Sequence, residues 1–271
     1  RNKYSDASQL SKVIDGVFTL GNAYYYTNDE RYAKKAFGLV DTFFVNPATR
    51  MNPNLKYGQF IPGICEGRGI GIIETRFMGR LLEGITLMHG AESWDKHVYE
   101  GLRQWVWEYL NWLQTHPYGI DESKAHNNHG TYYDTQCVAM HLFLGQVDEA
   151  KRLIVESTQK RLQKQVAKDG SQPHELERTN SWGYATMNLQ GFILTAKMGE
   201  KIGVDLWHYT HDGQMFPGNL IIKLMWENAR GYLQKGQMHN IVTSGVGVFG
   251  PDMRVGTKAE ICPITVHFTK D

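Results

Sequence analysis

Repeated pairs of helical segments are the feature of this sequence that most constrains its fold. Each pair consists of an apolar segment with helical spacing, a turn containing Gly, Asn or Asp, and a second apolar segment. The pairs begin near Leu10, Gly71, His129 and Leu176. Helical hairpins repeated at roughly 50 to 60 residues fit a toroid or a helical solenoid. We therefore predict an all-α fold, an incomplete (α/α) toroid of helical hairpins.

Two segments depart from this pattern. Residues 47–69 are rich in Pro, Gly and Asn and predict a long loop, and loops of that length are usually functional or disordered. Residues 236–271 have the composition of turns with short strands. No linker separates either segment, so we expect one domain over residues 1–271, with an irregular or β-containing C-terminal tail.

Composition excludes several classes of function. The 29 Lys and Arg nearly balance the 28 Asp and Glu, so the net field is too weak to attract nucleic acid. No apolar stretch approaches the roughly 20 residues of a membrane-spanning helix. The three cysteines lack metal-ligand spacing, and we expect no metal and no cofactor. Because the chain opens on Arg1 without methionine or a signal-like segment, we expect a mature or trimmed product. Separately, we expect a secreted or periplasmic location.

The segment AHNNHGTYYDTQ, residues 125–136, places many polar side chains at a helix start, with Asn127 or Asn128 as the N-cap. One face of this helix carries His129, Tyr132, Tyr133 and Gln136. The free N–H groups and the positive dipole end favour an anion there. The segment is either a site for an anion or a capped helix with a satisfied histidine beneath an aromatic cluster. Asp134 points off this face, which predicts a structural role.

A second polar concentration, SQPHELERTNSWGYATMNLQGF, occupies residues 171–192. If its helix is continuous, the polar face carries Glu177, Ser181, Tyr184 and Asn188. The apolar face then carries Trp182, Ala185, Leu189, Phe192 and Ala196. Tyr184 therefore lies among polar groups, either as a reactive hydroxyl or as a half-buried ring with a solvated hydroxyl.

A third concentration, EGRGIGIIETR at residues 66–76, closes the predicted long loop. Its glycines lack the GxGxxG order and no strand precedes them, so it is not a dinucleotide-binding motif. Its charged residues either line a cleft or form ion pairs that hold the loop; they are Glu66, Arg68, Glu74 and Arg76.

In combination, NNHGTYYDTQ, ELERTNSWGYATMNL and DLWHYT (residues 205–210) resemble motifs of the alginate lyase superfamily of polysaccharide lyases. The similarity extends from Tyr4 to about Thr210. It implies an (α/α) toroid that cleaves a uronic-acid polymer, alginate first and glucuronan next, by β-elimination. Carried over by position, the motifs identify as catalytic residues Asn128, His129, Tyr184 and Arg178.

The position of the arginine departs from the family pattern. Six residues separate Arg178 from Tyr184, which places them about 120° apart on one ideal helix. Arg178 therefore lies before the helix proper, or Arg68 or Arg76 takes its role.

The implied chemistry suits these residue types. In β-elimination a base removes the C5 proton beside the uronate carboxylate, and the bond from C4 to the glycosidic oxygen breaks. Asn128 and an arginine can stabilise the charge that develops on the carboxylate. In mannuronate or glucuronate the proton and the leaving oxygen lie on the same side of the ring, so Tyr184 can serve as both base and acid. In guluronate they lie on opposite sides, so His129 would be the base and Tyr184 the acid. The role of His129 stays open between a base and a protonated charge partner of the carboxylate.

The expected partner is an acidic polysaccharide, contacted by aromatic and charged side chains near the motifs. The candidates for substrate binding are Arg68, Arg76, Tyr133, Trp182, Trp207, His208 and Tyr209. Two alternatives stay open at this point. One is a glycoside hydrolase on the same toroid, with Glu66 and Asp134 as acid and base. The other is a helical-repeat protein that binds glycans without chemistry.

Overall fold

The computed structural model describes residues 6–215, which are mostly helical. The first half contains α1 (Asp6–Thr27), α2 (Glu30–Val40), α3 (Met78–Leu87) and α4 (Lys96–Thr115). A π-helical turn, Asp41–Val45, continues α2, and a 3₁₀ turn, Gly69–Thr75, precedes α3. The segment between these turns is a long loop, as predicted.

The second half holds the polar motifs. Its helices are α5 (Pro117–Ser123), α6 (Asn128–Phe143), α7 (Val147–Leu153), α8 (Gln159–Gln165), α9 (Pro173–Leu176) and α10 (Ser181–Lys201). A π-helical turn, Ile154–Thr158, joins α7 to α8. Two short antiparallel strands follow, β1 (Thr210–His211) and β2 (Gln214–Met215). The predicted tail at 236–271 lies outside the described residues.

Helix α5 begins at a proline directly after α4. Proline suits the first position of a helix because its missing N–H needs no partner there and its φ is already helical. Pro117 occupies that position, and His116 Nδ1 accepts a hydrogen bond from the Tyr118 N–H at 3.2 Å. The chain therefore starts a new short helix directly after α4.

The helices form an (α/α) toroid of antiparallel hairpins, which confirms the predicted fold class. The backbones of α1 and α3 lie very close together at Gly21 and Gly84. A Cβ added to Gly21 would lie 2.2 Å from the Gly84 carbonyl oxygen. Helix α6 packs against α3, α4, α5, α7 and α10, and it is buried on nearly every side. Polar side chains on a helix in this position need partners within the protein. No helix in the range 6–215 is long and apolar enough to cross a membrane.

The helix is not continuous through residues 171–192. The chain breaks between α9 and α10, so Glu177 does not share a helix with Tyr184. Trp182 was expected on the apolar face but is 73% exposed, since it lies in the first turn of α10 where no neighbouring helix covers it. Leu189 and Phe192 are buried as predicted.

Candidate active site

Glu175 on α9 connects the first polar motif to the second. Asn127 caps α6, and its side chain accepts a hydrogen bond from the His129 N–H at 3.2 Å. Asn128 donates its backbone N–H and its amide Nδ2 to the two oxygens of Glu175, at 2.5 and 2.7 Å. A carboxylate that accepts two donors from one residue fixes that residue's orientation. The start of α6 is therefore tied to the segment that leads into α10.

This contact changes the interpretation of Asn128. The residue was expected to donate to a substrate carboxylate, but it is fully buried and its amide already donates to Glu175. Its Oδ1 has no hydrogen-bond partner among the described residues. A direct contact between Asn128 and substrate is not available in this arrangement, and Asn128 instead anchors the first turn of α6.

His129 forms the most enclosed histidine–carboxylate contact in the described part of the chain. Its Nδ1 lies 2.6 Å from Glu122 Oε1, and the two side chains are 19% and 3% exposed. Glu122 comes from α5, so the pair joins two consecutive helices. The His129 side chain is thus mostly enclosed, with its Nδ1 engaged by Glu122.

Tyr184 lies in the first turn of α10 and is half-buried. The guanidinium carbon of Arg178 stands over its ring, 4.1 Å from the centroid. Arg178 is exposed and precedes α10, as one reading of the sequence expected, so the angle calculated for a single helix does not apply. The guanidinium is held by a cation–π contact, and because it is exposed it can also bind a carboxylate.

The packing of α10 on α6 brings Tyr184 level with the first motif. Thr135 contacts the Gly191 carbonyl and the Thr195 hydroxyl, 56 and 60 positions later, and Tyr132 donates to Gln190, 58 positions later. Because the sequence separation between contacting residues of α6 and α10 stays near the same value, the two helices run parallel. By the same offset of 56 to 60 positions, Tyr184 is level with residues 124–128, which lead into α6 and precede His129.

The neighbouring tyrosines of the first motif are core residues. Tyr133 was expected to contact sugar, but it is 6% exposed and its hydroxyl donates to the Leu113 carbonyl at 3.1 Å. Burial raises the pKa of both Tyr132 and Tyr133 above the ordinary value, which disfavours tyrosinate. Substrate contact by Tyr133 is therefore contradicted, and neither ring suits a base at ordinary pH.

Asp134 has the structural role that its helical phase predicted. Its carboxylate accepts hydrogen bonds from Arg161 Nε and Nη2 at 2.7 and 3.0 Å, and also from Ser157 and Thr158. Burial raises the pKa of Asp134, while the Arg161 guanidinium opposes that shift. An enclosed, ion-paired carboxylate cannot activate water at a glycosidic bond, so the hydrolase alternative loses one of its two carboxylates.

Arg161 also holds the connection between α5 and α6. Its Nη2 and Nη1 donate to the carbonyl oxygens of Ser123 and Ala125 at 2.5 and 2.9 Å. Gly130 leaves room for this side chain, because a Cβ there would lie 2.2 Å from both Arg161 Nη1 and the Ala125 carbonyl oxygen. The turn that separates Glu122 from His129 is thus fixed by one buried cation.

A network of buried amide side chains joins α6, α8 and α10 in the protein interior. Gln165 Oε1 accepts hydrogen bonds from Thr131 and Asn188, and Gln165 Nε2 donates to the Asn127 carbonyl. Asn188 also donates to Gln172 at 2.8 Å. Asn188 was grouped with Tyr184 on one polar face; here it faces inward and links α10 to α8.

The loop arginines contact their own segment. Arg68 Nη2 donates to Gln59 Oε1 at 2.8 Å, and Arg76 Nη1 donates to the Ile73 carbonyl at 3.2 Å. The Arg76 guanidinium also stands 4.6 Å from the Phe77 ring centroid. Within residues 6–215, none of these contacts reaches α9 or α10, so Arg178 is the arginine that the structure places with Tyr184.

The remaining candidates lie after α10. Trp207 and Tyr209 pack on the cluster formed by α6, α7, α8 and α10, and the Tyr209 hydroxyl accepts a hydrogen bond from Gln163 at 2.5 Å. His208 is exposed and pairs with Asp205 at 2.7 Å. The hydrogen bonds shown for Tyr209 and His208 in the described part of the chain go to Gln163 and Asp205 rather than to His129 or Tyr184.

Sequence reasoning missed Glu122, Glu175 and Arg161. All three act on the first motif from other elements, and their contacts span 7, 47 and 27 positions. For Glu122 a signal was available, since Pro117 marks a helix start whose last turn carries a carboxylate just before the motif.

The fold, with a histidine, a tyrosine and an arginine at the starts of α6 and α10, is that of an (α/α)-toroid polysaccharide lyase. A model of the alginate lyase family matches residues 1–217, and the chain belongs to this family. The crystal structure of an alginate lyase from Bacteroides ovatus, at 1.60 Å resolution, is similar with 30% identity and a TM-score of 0.79; the match covers 98% of this chain and 72% of that one. No curated protein matches the chain.

Proposed function

We propose that this lyase cleaves a uronic-acid polymer, alginate first and glucuronan next, by β-elimination. The observation that supports the proposal is the parallel packing of α6 and α10, whose first turns carry His129 and Tyr184, together with the contact of Arg178 with the Tyr184 ring. We infer that these two groups, which can exchange protons, and the exposed cation of Arg178 meet the same substrate. These are the components that removal of a proton next to a carboxylate requires.

The proposed roles follow from exposure and charge. Arg178 is exposed and binds the uronate carboxylate, which stabilises the charge that develops when the C5 proton leaves. Tyr184 takes that proton and protonates the leaving oxygen on mannuronate or glucuronate. His129 becomes the base when the polymer is guluronate, since the proton then lies on the opposite face of the ring.

Asn128 supports the site through Glu175 rather than by touching the polymer. Trp182, exposed two positions before Tyr184, is the candidate to stack on a sugar ring. The polymer is too large to cross a membrane unaided, which agrees with our expectation of a secreted or periplasmic enzyme.

The test compares polymannuronate, polyguluronate and glucuronan as substrates. Elimination creates a conjugated C4=C5 double bond that absorbs in the ultraviolet, whereas hydrolysis gives reducing ends without this absorbance. We expect Tyr184→Phe to lower kcat at least about 100-fold on every substrate that the protein cleaves. Tyr26→Phe, at an exposed tyrosine on α1, is the matched control and should keep wild-type activity.

His129→Ala separates the two stereochemical cases. On guluronate we expect a loss as large as that of Tyr184→Phe, and on mannuronate a smaller one. Full activity of Tyr184→Phe on all three polymers would show that the proposed mechanism is wrong.

A further inference from the structure

Glu122 and His129 form a contact that has no role in the mechanism proposed above. The carboxylate lies 2.6 Å from Nδ1 and is 3% exposed, although it belongs to a different helix from the histidine. Among residues 6–215, His129 is the only cation-forming side chain within 4.0 Å of this carboxylate. Burying a carboxylate costs free energy unless a partner compensates for the lost hydration. Since His129 is that partner, we expect Glu122 to orient the imidazole ring.

We propose that Glu122 is a positioning residue: it holds the His129 ring with the proton on Nδ1 and leaves Nε2 as the free acceptor that faces the polymer. An ionised carboxylate can only accept hydrogen bonds, so the nitrogen beside it must carry the proton. The other nitrogen of a neutral ring then keeps its lone pair. This inference rests on the proposed function only for the claim that His129 meets substrate.

Hydrogen bonds to the neighbouring backbone hold the Glu122–His129 pair in place. Arg161 binds the carbonyl oxygens on both sides of Lys124, in the turn between the two residues, and Asn127 accepts the His129 N–H. Both backbone segments that carry the pair are therefore fixed. A ring whose position and tautomer are set in advance loses less entropy when it accepts a proton in the transition state.

The chain contains a comparison pair of the same chemistry. His208 Nδ1 lies 2.7 Å from Asp205 Oδ2, but the two side chains are 82% and 59% exposed and three positions apart on one turn. Water competes for such a contact, so it should fix a tautomer only weakly. The two pairs thus differ in enclosure while the groups in contact are alike.

The experiment measures side-chain nitrogen shifts of histidine by NMR in the full chain at a pH where the rings are neutral, with His129→Ala to assign the signal. Wild type should show His129 protonated at Nδ1. Glu122→Gln keeps the size of the side chain but can donate as well as accept, so protonation at Nε2 should appear. Asp205→Asn is the matched control, which should change the His208 signal and leave that of His129 unchanged.

Kinetics on the cleaved polymer complete the test. For Glu122→Gln we expect kcat to fall about 10- to 100-fold with KM within about twofold, because the ring still binds but its accepting nitrogen is no longer fixed. Glu149→Gln, at an exposed ion pair on α7, should keep wild-type kcat. Protonation of wild-type His129 at Nε2, or a wild-type kcat in Glu122→Gln, would overturn the proposal. A wild-type protein that forms no unsaturated product would refute the proposed function while the tautomer result still decides this inference.

Discussion

Replacement of Arg161 by methionine tests the structural centre of the site. The change removes the cation from Asp134 and the hydrogen bonds to Ser123 and Ala125, while the apolar stem is kept. The Asp134 and Arg161 side chains are only 1% and 10% exposed, so the remaining carboxylate would be buried without its partner. Breaking a buried pair in this way costs about 3–5 kcal/mol of unfolding free energy.

For a domain of this size we expect Tm to fall by about 6–20 °C. Thermal and urea unfolding followed by circular dichroism measure the loss. Arg152→Met on α7 is the matched control, because Arg152 pairs with Glu149 and Glu156 at the surface and its loss should leave stability nearly unchanged. Arg161→Met with Asp134→Leu should regain part of the loss. An unfolding free energy equal to wild type in Arg161→Met would refute the claim that this cation holds the turn.

Three further substitutions test the packing of Gly130 and the roles of Trp182 and Arg178. Gly130→Ala should destabilise the fold by about 1–3 kcal/mol, because its Cβ would displace Arg161; an unchanged urea midpoint would contradict this close approach. Trp182→Ala should raise KM about fivefold with kcat nearly constant, since an exposed ring can bind sugar without taking part in proton transfer, and an unchanged KM would exclude it as a substrate contact. Arg178→Lys should lower kcat about tenfold, as a lysine keeps the charge but cannot bind both carboxylate oxygens; wild-type kinetics would move the carboxylate site elsewhere.

The helical hairpins could be predicted because their signal is local. Apolar spacing and turn residues define α1, α2, α3 and α4 without knowledge of what packs on them. The break before α10 was only one of two alternatives, since residues 177–180 carry no proline or glycine that marks it.

Side-chain environments in the first motif were harder to predict. Helix α6 is covered on nearly every side, so the polar face expected from its periodicity is not a solvent face. Tyr133 and Asn128 are therefore enclosed, although their residue types suit a substrate site. Asp134 was predicted correctly because helical phase alone turns it away from His129. The partners Glu122 and Glu175 come from separate helices, and periodicity within α6 contains no information about them.

The most direct test of the central claim is the identity of the new chain end after wild-type enzyme acts on polymannuronate. The account predicts products that absorb in the ultraviolet and whose mass is lower by one water molecule than that of the hydrolysis products. Products with saturated ends, full hydrolysis mass and no absorbance would contradict β-elimination.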